Sequence, residues 1–573
     1  INLSSHRDIA YQTPTLDYIA TRTGNLIHVY PVNPDGSYGY TSTTGSNGWE
    51  GNTTVVGNPY ATQMELDRTD VTNRLSANAY ADIHYKGLSY HIIGSYNYSG
   101  TNTDVFSGGR RRFNIINGNY VEMRYDGTNT YNFTLGLNHG STFSLEHYLT
   151  YKLDAGIHSL TAMLGNTISK YTGSWVNAAG VDYASADIRV TGLAKGSKTG
   201  SGALNANSNM LSYYGRVVYS LDDKLILTGT IRRDGSSNFS PSNRFGTFPS
   251  AAIAWRIKDT FMESVDAISN LKVRAGWGQT GNSGNLAGRF VAALSNSGAR
   301  YNFYTDKNQG LGEGTGSTGL YEPLVDTNLK WETNEQLNFG LDLGLLDGDL
   351  DITVDYFVRK TRDLLVKRPI RPSSGYKEIY TNYGAMDNKG FEFSLSYKKY
   401  LGSDLSLNAT LTGSTITNKI TDMPELPIYK SATGGNYDMV AYNTVDDIQG
   451  DKSNTMQVDG GAYWNNHSIS TVGYAVGSYY GGRVDRIIKT EDDLKEANRR
   501  GQSAAKIGDY MFKDLNNDDA INESDREILG NGFPTLNFGL NIGLTYKNWD
   551  FSVYTYGELG KDILSYSAMR LSM

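Results

Sequence analysis

The sequence predicts an all-β chain, a transmembrane antiparallel β-barrel of about 14 strands occupying the whole of residues 1–573 and carrying long extracellular loops. Three observations point there. Several segments alternate strictly between apolar and polar residues. Short turn signals join these segments in pairs. Long stretches rich in Gly, Ser, Asn and Tyr connect one pair to the next.

Composition agrees. Of 573 residues, 64 are Gly and 42 Tyr, 12 are Pro and none is Cys. The missing thiols exclude a disulfide scaffold, thiolate metal sites, iron–sulfur clusters and Cys nucleophiles. No run of 18 apolar residues marks a membrane-spanning helix. A formal net charge of −7 gives no basic character, so nucleic acid is not an expected partner. The chain opens at Ile1 with no Met and no signal-like leader, which reads as a processed chain or a fragment.

Alternation is clearest in three places. Leu337, Phe339, Leu341, Leu343 and Leu345 are separated by Asn338, Gly340, Asp342 and Gly344. Phe391, Phe393, Leu395 and Tyr397 alternate with Glu392, Ser394, Ser396 and Lys398. Leu536, Phe538, Leu540, Ile542, Leu544 and Tyr546 alternate with Asn537, Gly539, Asn541, Gly543 and Thr545. A strand points successive side chains to opposite faces, so each run has one greasy and one polar face. The last run has about the length a tilted strand needs to cross a bilayer core.

Taken along the chain, the hairpin turns are Lys86-Gly87, Asp154-Ala155-Gly156, Asp222-Asp223, a longer connection over 258–270 with a helical turn at Phe261-Met262-Glu263, then Asp347-Gly348, Gly402-Ser403-Asp404 and Lys547-Asn548. Long polar connections are expected over 100–118, 175–209, 282–327, 367–380 and 418–466. Short turns at one rim and long loops at the other are an outer-membrane pattern. A soluble sandwich is the alternative, but it does not call for Gly and Asn so regularly on its second face. Gly on the polar face fits either a crowded lumen or relief of sheet curvature. Trp255, Tyr356, Tyr397, Tyr546 and Trp549 suit interfacial girdles or cross-strand packing.

Several blocks resemble one family. Arg232-Arg233-Asp234-Gly235-Ser236-Ser237 leads through Phe239 to Asn243-Arg244-Phe245-Gly246-Thr247-Phe248-Pro249-Ser250-Ala251-Ala252 and Trp255-Arg256. Leu271-Lys272-Val273-Arg274-Ala275-Gly276-Trp277-Gly278-Gln279-Thr280-Gly281-Asn282 follows. Then come Leu329-Lys330-Trp331-Glu332, Asp355-Tyr356, Asn382-Tyr383-Gly384-Ala385-Met386-Asp387-Asn388-Lys389-Gly390 and Gly508-Asp509. In this order the blocks resemble the SusC/RagA-type TonB-dependent outer-membrane transporters of Bacteroidetes. The resemblance implies a 22-stranded barrel around an N-terminal plug. No plug-like region or TonB box is visible in this chain, and on the family's pattern about four strands are wanting at each end, so the sequence reads as the central part of a transporter barrel. It further implies import of a nutrient, a glycan or a peptide, with a SusD-like surface lipoprotein as lid and TonB as energy source. A passive porin or a surface adhesin is the alternative. An enzyme is not expected, since no catalytic constellation is present.

Two groups of residues are candidate sites. Asp514, Asn516, Asp518, Ala520 (through its carbonyl), Asn522 and Asp525 fall at the spacing of a Ca²⁺-binding loop, although Asp519 stands where Gly is usual and Asp525 where Glu is. A polar loop held by Asx turns explains the same residues without an ion. Trp49, Tyr301, Tyr304, Tyr463 and Trp464 are the candidate ligand contacts, as aromatics in long polar loops. His84 and His91 straddle one hairpin as possible neighbours, and Arg110-Arg111-Arg112 forms a local basic cluster.

Overall fold

The computed structural model describes residues 2–9, 41–42, 55–56, 66–107, 111–116, 119–124, 131–183, 188–284, 324, 326–369, 378–423, 428–431, 438–440, 466–503 and 505–564. Fifteen strands make one antiparallel ladder, each bonded to the next in sequence. They are β1 (Asn2–Ile9), β2 (Leu66–Tyr85), β3 (Leu88–Ser107), β4 (Tyr131–Ala155), β5 (His158–Tyr183), β6 (Lys198–Leu221), β7 (Leu225–Ser236) and β8 (Phe245–Arg256). They continue with β9 (Ile268–Asn282), β10 (Glu332–Leu345), β11 (Leu350–Arg362), β12 (Ala385–Leu401), β13 (Leu405–Ser414), β14 (Leu536–Tyr546) and β15 (Trp549–Leu559). A short strand, Thr417–Asp422, also pairs with β12.

Strands β2–β15 are the seven expected hairpins. The strand β1 lies outside those hairpins: its run Leu3-Ser4-Ser5-His6-Arg7 shows no alternation, yet it pairs with Thr69–Ser76. At the tight rim, Lys86 (φ +44°) and Gly87 (φ +81°) are both left-handed, the geometry of a two-residue turn that matches strand twist. The longer connection holds a helical turn, α1 (Lys258–Phe261), whose Lys258 ammonium donates to the carbonyls of Met262, Glu263 and Val265 at 2.7, 3.0 and 2.9 Å.

Register carries the alternation across the ladder. Leu341 lies between Val273 and Val354, while its neighbour Asp342 lies between Lys272 and Thr353. Leu337, Phe339 and Leu341 stand exposed on one face. Asn338, Gly340 and Asp342 occupy the other, as the period of two demands.

The strands run further than expected. β4 has 25 residues and β5 has 26, against the roughly 9–11 that cross a bilayer. Residues 100–107, 175–183 and 198–209, read from composition as loop, continue β3, β5 and β6. They pair with neighbouring strands, residues 198–209 with β5, and Gly and Ser do not prevent it.

Beyond the ladder, the chain between β13 and β14 builds a lobe. It contains a five-stranded sheet, a strand pair (Val484–Ile487 with Tyr510–Phe512) and a second helix, α2 (Glu491–Arg499). Ile488, Ala497 and Met511 form its own small core. Among the described residues no helix is long and apolar enough to cross a membrane, which says nothing of crossing by strands.

Candidate functional site: the polar wall and the extracellular lobe

The polar face of the ladder is an organised electrostatic surface. Arg274 on β9 donates to Asp342 on β10 through Nε (3.0 Å) and Nη2 (2.9 Å), and Nη2 reaches Asp355 on β11 at 3.0 Å. Lys272 adds a contact to Asp342 at 3.2 Å. Three strands are thereby tied by two cations and two carboxylates. Gly340 makes room for this: a Cβ there would sit 2.5 Å from Asp355 Oδ1 and 2.6 Å from Arg274 Cζ. Inward glycine on this strand therefore serves crowding of the lumen face.

A second cluster begins on β7. Arg232 donates from Nε to Asp234 at 2.8 and 3.0 Å and from Nη2 to Ser212 Oγ at 3.0 Å. Its guanidinium lies over the Tyr214 ring at 5.6 Å, and the Tyr214 hydroxyl donates to Glu146 at 2.7 Å. The Tyr214 ring passes over Gly165, where a Cβ would come within 2.4 Å of it. Farther round, His91 bonds to Asp82 and stacks on Tyr148 at 4.8 Å. His91 thus faces Asp82 directly across the hairpin, and His84 faces Ser89, so the two histidines are not cross-strand partners.

Three of the blocks that carry the family resemblance meet at the upper rim. Phe239, Phe248, Leu329 and Trp331 form a buried cluster, with the Phe239 and Trp331 rings 5.3 Å apart. Trp331 Nε1 donates to the Arg244 carbonyl at 3.0 Å. Asn382 closes the clasp: its Nδ2 donates to the carbonyls of Lys330 (2.8 Å) and Asp363 (2.9 Å), and its Oδ1 accepts the Lys330 N–H at 2.8 Å. The sequence offered these residues as a signature. Their contact joins positions far apart in the chain and has no periodic signal, so alternation could not find it. Arg274 and Lys272 were findable, as charges two apart on the polar side of an alternating run.

In the lobe, Thr490 and Asp493 form a reciprocal capping box at the start of α2. The N–H of Lys489, then the Thr490 hydroxyl, hold the Asp493 carboxyl below its ordinary value. At the other end, Arg499 and Arg500 pair with Asp519 of the acidic loop.

That loop is folded by Asx turns. Asn516 Oδ1 accepts the Asp518 N–H (3.1 Å), Asp518 Oδ1 accepts the Ala520 N–H (2.9 Å), and Asn522 Oδ1 accepts the Ser524 N–H (2.8 Å). Asp525 is buried and acts as a latch, accepting the N–H groups of Leu515 and Asn522, both at 2.8 Å. The Asn516 amide, with the Ala520 N–H, holds the Asp518 carboxyl low. Asp514 Oδ2 accepts the Asp519 N–H at 2.8 Å, while its Oδ1 is buried without a hydrogen-bond partner among the described residues. Asp519 takes φ +64°, supplying the sharp turn that Gly gives elsewhere. Among the described residues no three His, Asp or Glu side chains gather as a metal-holding group.

Trp49, Tyr301, Tyr304, Tyr463 and Trp464 lie outside the described residues, as do the side chains of Arg110, Arg111 and Arg112.

Comparison with known proteins fits this architecture. A family model described as "TonB dependent receptor-like, beta-barrel" matches residues 11–567. TonB-dependent receptor P3 of Formosa agariphila is 29% identical over 521 residues, covering 90% of this chain and 47% of that protein. TonB-dependent receptor SusC of Bacteroides thetaiotaomicron is 31% identical over 357 residues, covering 61% of this chain and 31% of SusC. The solved RagAB peptide transporter shares the fold with a TM-score of 0.68 at 20% identity, covering 90% of this chain and 50% of that one. The chain thus spans about half the length of the first of these relatives and of the RagAB chain.

Proposed function

The chain belongs to the TonB-dependent receptor-like β-barrel family, a family of outer-membrane transporters and not of enzymes, and from that premise we propose that the whole protein imports a nutrient, a glycan or a peptide, as the barrel of a complex with a SusD-like surface lipoprotein. TonB supplies the energy through a plug region. The observation that carries this reading is the two-faced ladder, apolar on one side and lined on the other by charges held in pairs, which suits a wall between lipid and a polar passage. Trp49, Tyr301, Tyr304, Tyr463 and Trp464 contribute ligand contacts in this reading, and substituting any of them by Ala lowers uptake.

The test is copurification of the full-length protein in mild detergent, with uptake measured in cells lacking TonB. A lipoprotein that travels with the barrel and uptake that stops without TonB support the reading. A protein that runs alone and conducts freely in a planar bilayer makes it a passive pore.

For the acidic loop, we propose a structural Ca²⁺ seated on Asp514 Oδ1, with Asn516, Asp518 and the Ala520 carbonyl as companions. The unbonded, buried Asp514 oxygen favours it. Calorimetry of the intact protein should show a calcium heat that Asp514→Asn abolishes. No heat leaves the loop to its Asx turns.

A further inference from the structure

The apolar face is not uniformly filled. Gly229 of β7 faces Ala251 of β8 in register, and Ala275 of β9, paired with Ile253, lies one outward step nearer the tight rim; all point outward. A Cβ on Gly229 would meet nothing within 4 Å. The result is an apolar groove of about 550 Å³ in the outer wall, flanked by Val217 and Leu227 on one side and by Trp277 and Leu337 on the other. Trp277 is fixed in place by donating its indole N–H to Glu335 at 2.9 Å.

Above the groove stands a cation without a counter-ion. Arg233 is on the same outward face of β7, four residues nearer the long-loop rim, roughly 14 Å along the strand. Its guanidinium makes no ion pair or hydrogen bond among the described residues and lies over the Phe245 ring, at 5.2 Å. Directly across from it in register is Tyr213, half exposed and also facing outward. The wall thus offers a slot for a hydrocarbon chain with a cation and a phenol above it, at the end where the long loops mark the outer leaflet.

We propose that this groove binds one phosphorylated glycolipid of the outer leaflet, an acyl chain lying over Gly229, Ala251 and Ala275 and a phosphate held by Arg233 and Tyr213. Charge complementarity chooses this occupant over a protein surface: an unpaired arginine fork fits a phosphate in two-pronged geometry. The apolar slot below fits the chain attached to it.

The test is native mass spectrometry of the full-length protein in detergent micelles, with monophosphoryl lipid A added to one sample and phosphatidylglycerol to another. One lipid A molecule should stay bound after bulk detergent is stripped. Arg233→Gln removes a charge-assisted contact and should lower retention by about tenfold. Gly229→Leu fills the slot and should lower it without touching the charge. Lys389→Gln, an outward cation on β12, should leave it unchanged. Heat-shifted gel migration verifies that each variant is folded, and if one is not, the other carries the test. Retention that neither variant lowers overturns the proposal. So does preferential retention of phosphatidylglycerol, or a second copy of the chain in place of lipid.

Discussion

Placing an arginine at Leu341 tests the two-faced wall most directly. Leu341 is the middle of the five outward residues 337, 339, 341, 343 and 345 on β10. Eight steps at about 3.4 Å make roughly 27 Å of strand, and a tilt near 40° reduces this to about 21 Å of height, close to the 25 Å apolar band of such barrels. Leu341 therefore lies about 10 Å from either edge, where an arginine costs about 2–4 kcal/mol. At Leu401, exposed at the tight-turn end of β12 and beyond the band, the same residue should cost about 0–1 kcal/mol. The midplane cost corresponds to roughly 30- to 900-fold in the folded-to-unfolded ratio. The assay is denaturant unfolding of the full-length protein in lipid vesicles, followed by Trp fluorescence. A spin label at Leu341 should be shielded from water-soluble relaxers and one at Asn338 should be accessible. Equal costs at Leu341 and Leu401, or reversed label accessibilities, would show that the register or the facing is wrong.

Three other perturbations follow from described contacts. Gly340→Ala should break the Arg274–Asp355 contact and lower stability in the same unfolding assay, whereas Gly94→Ala, with nothing within 4 Å of its new Cβ, should be neutral within error. Trp331→Ala should cost about 3–5 kcal/mol and loosen the rim clasp, read as faster hydrogen exchange at Lys330 and Asn382. Thr490→Ala should cost the cap of α2 about 1 kcal/mol. Because hydrogen bonds lower the folded Asp493 pKa, its contribution is complete above the ordinary carboxylate pKa and is lost as pH falls through the lowered value. Amide exchange across α2 at descending pH checks the direction.

The hairpins and the outward face were legible because a half-buried strand writes its period into the sequence, as Leu337 to Leu345 does. The tall parts of β3, β5 and β6 were not. Above the apolar band both faces of a strand meet water or polar neighbours, so residues 198–209 carry no alternation and read as loop. Sequence spacing placed Asp525 among the ligands of a cation. The structure gives it a latch role, because its two oxygens meet backbone N–H groups from both ends of the loop. The rim clasp was visible as a set of motifs but not as a contact, since packing between Phe239 and Trp331 depends on register that no local window contains.

On the proposed import reading, the cancellation of charge on the inner wall bears on how a solute is chosen. Lys272 and Arg274 balance Asp342 and Asp355 within one patch, so the patch has almost no monopole. Its potential decays faster than that of a lone charge and is spent within a fraction of the Debye length of about 8 Å at physiological ionic strength. Such a surface neither draws in nor repels an ion from bulk solution. It acts only on a molecule already at the wall, through fixed donors and acceptors at hydrogen-bonding range. If the wall lines the proposed import route, passage along this stretch is decided by fit and contact, and rates governed by it should hardly change between dilute buffer and physiological salt.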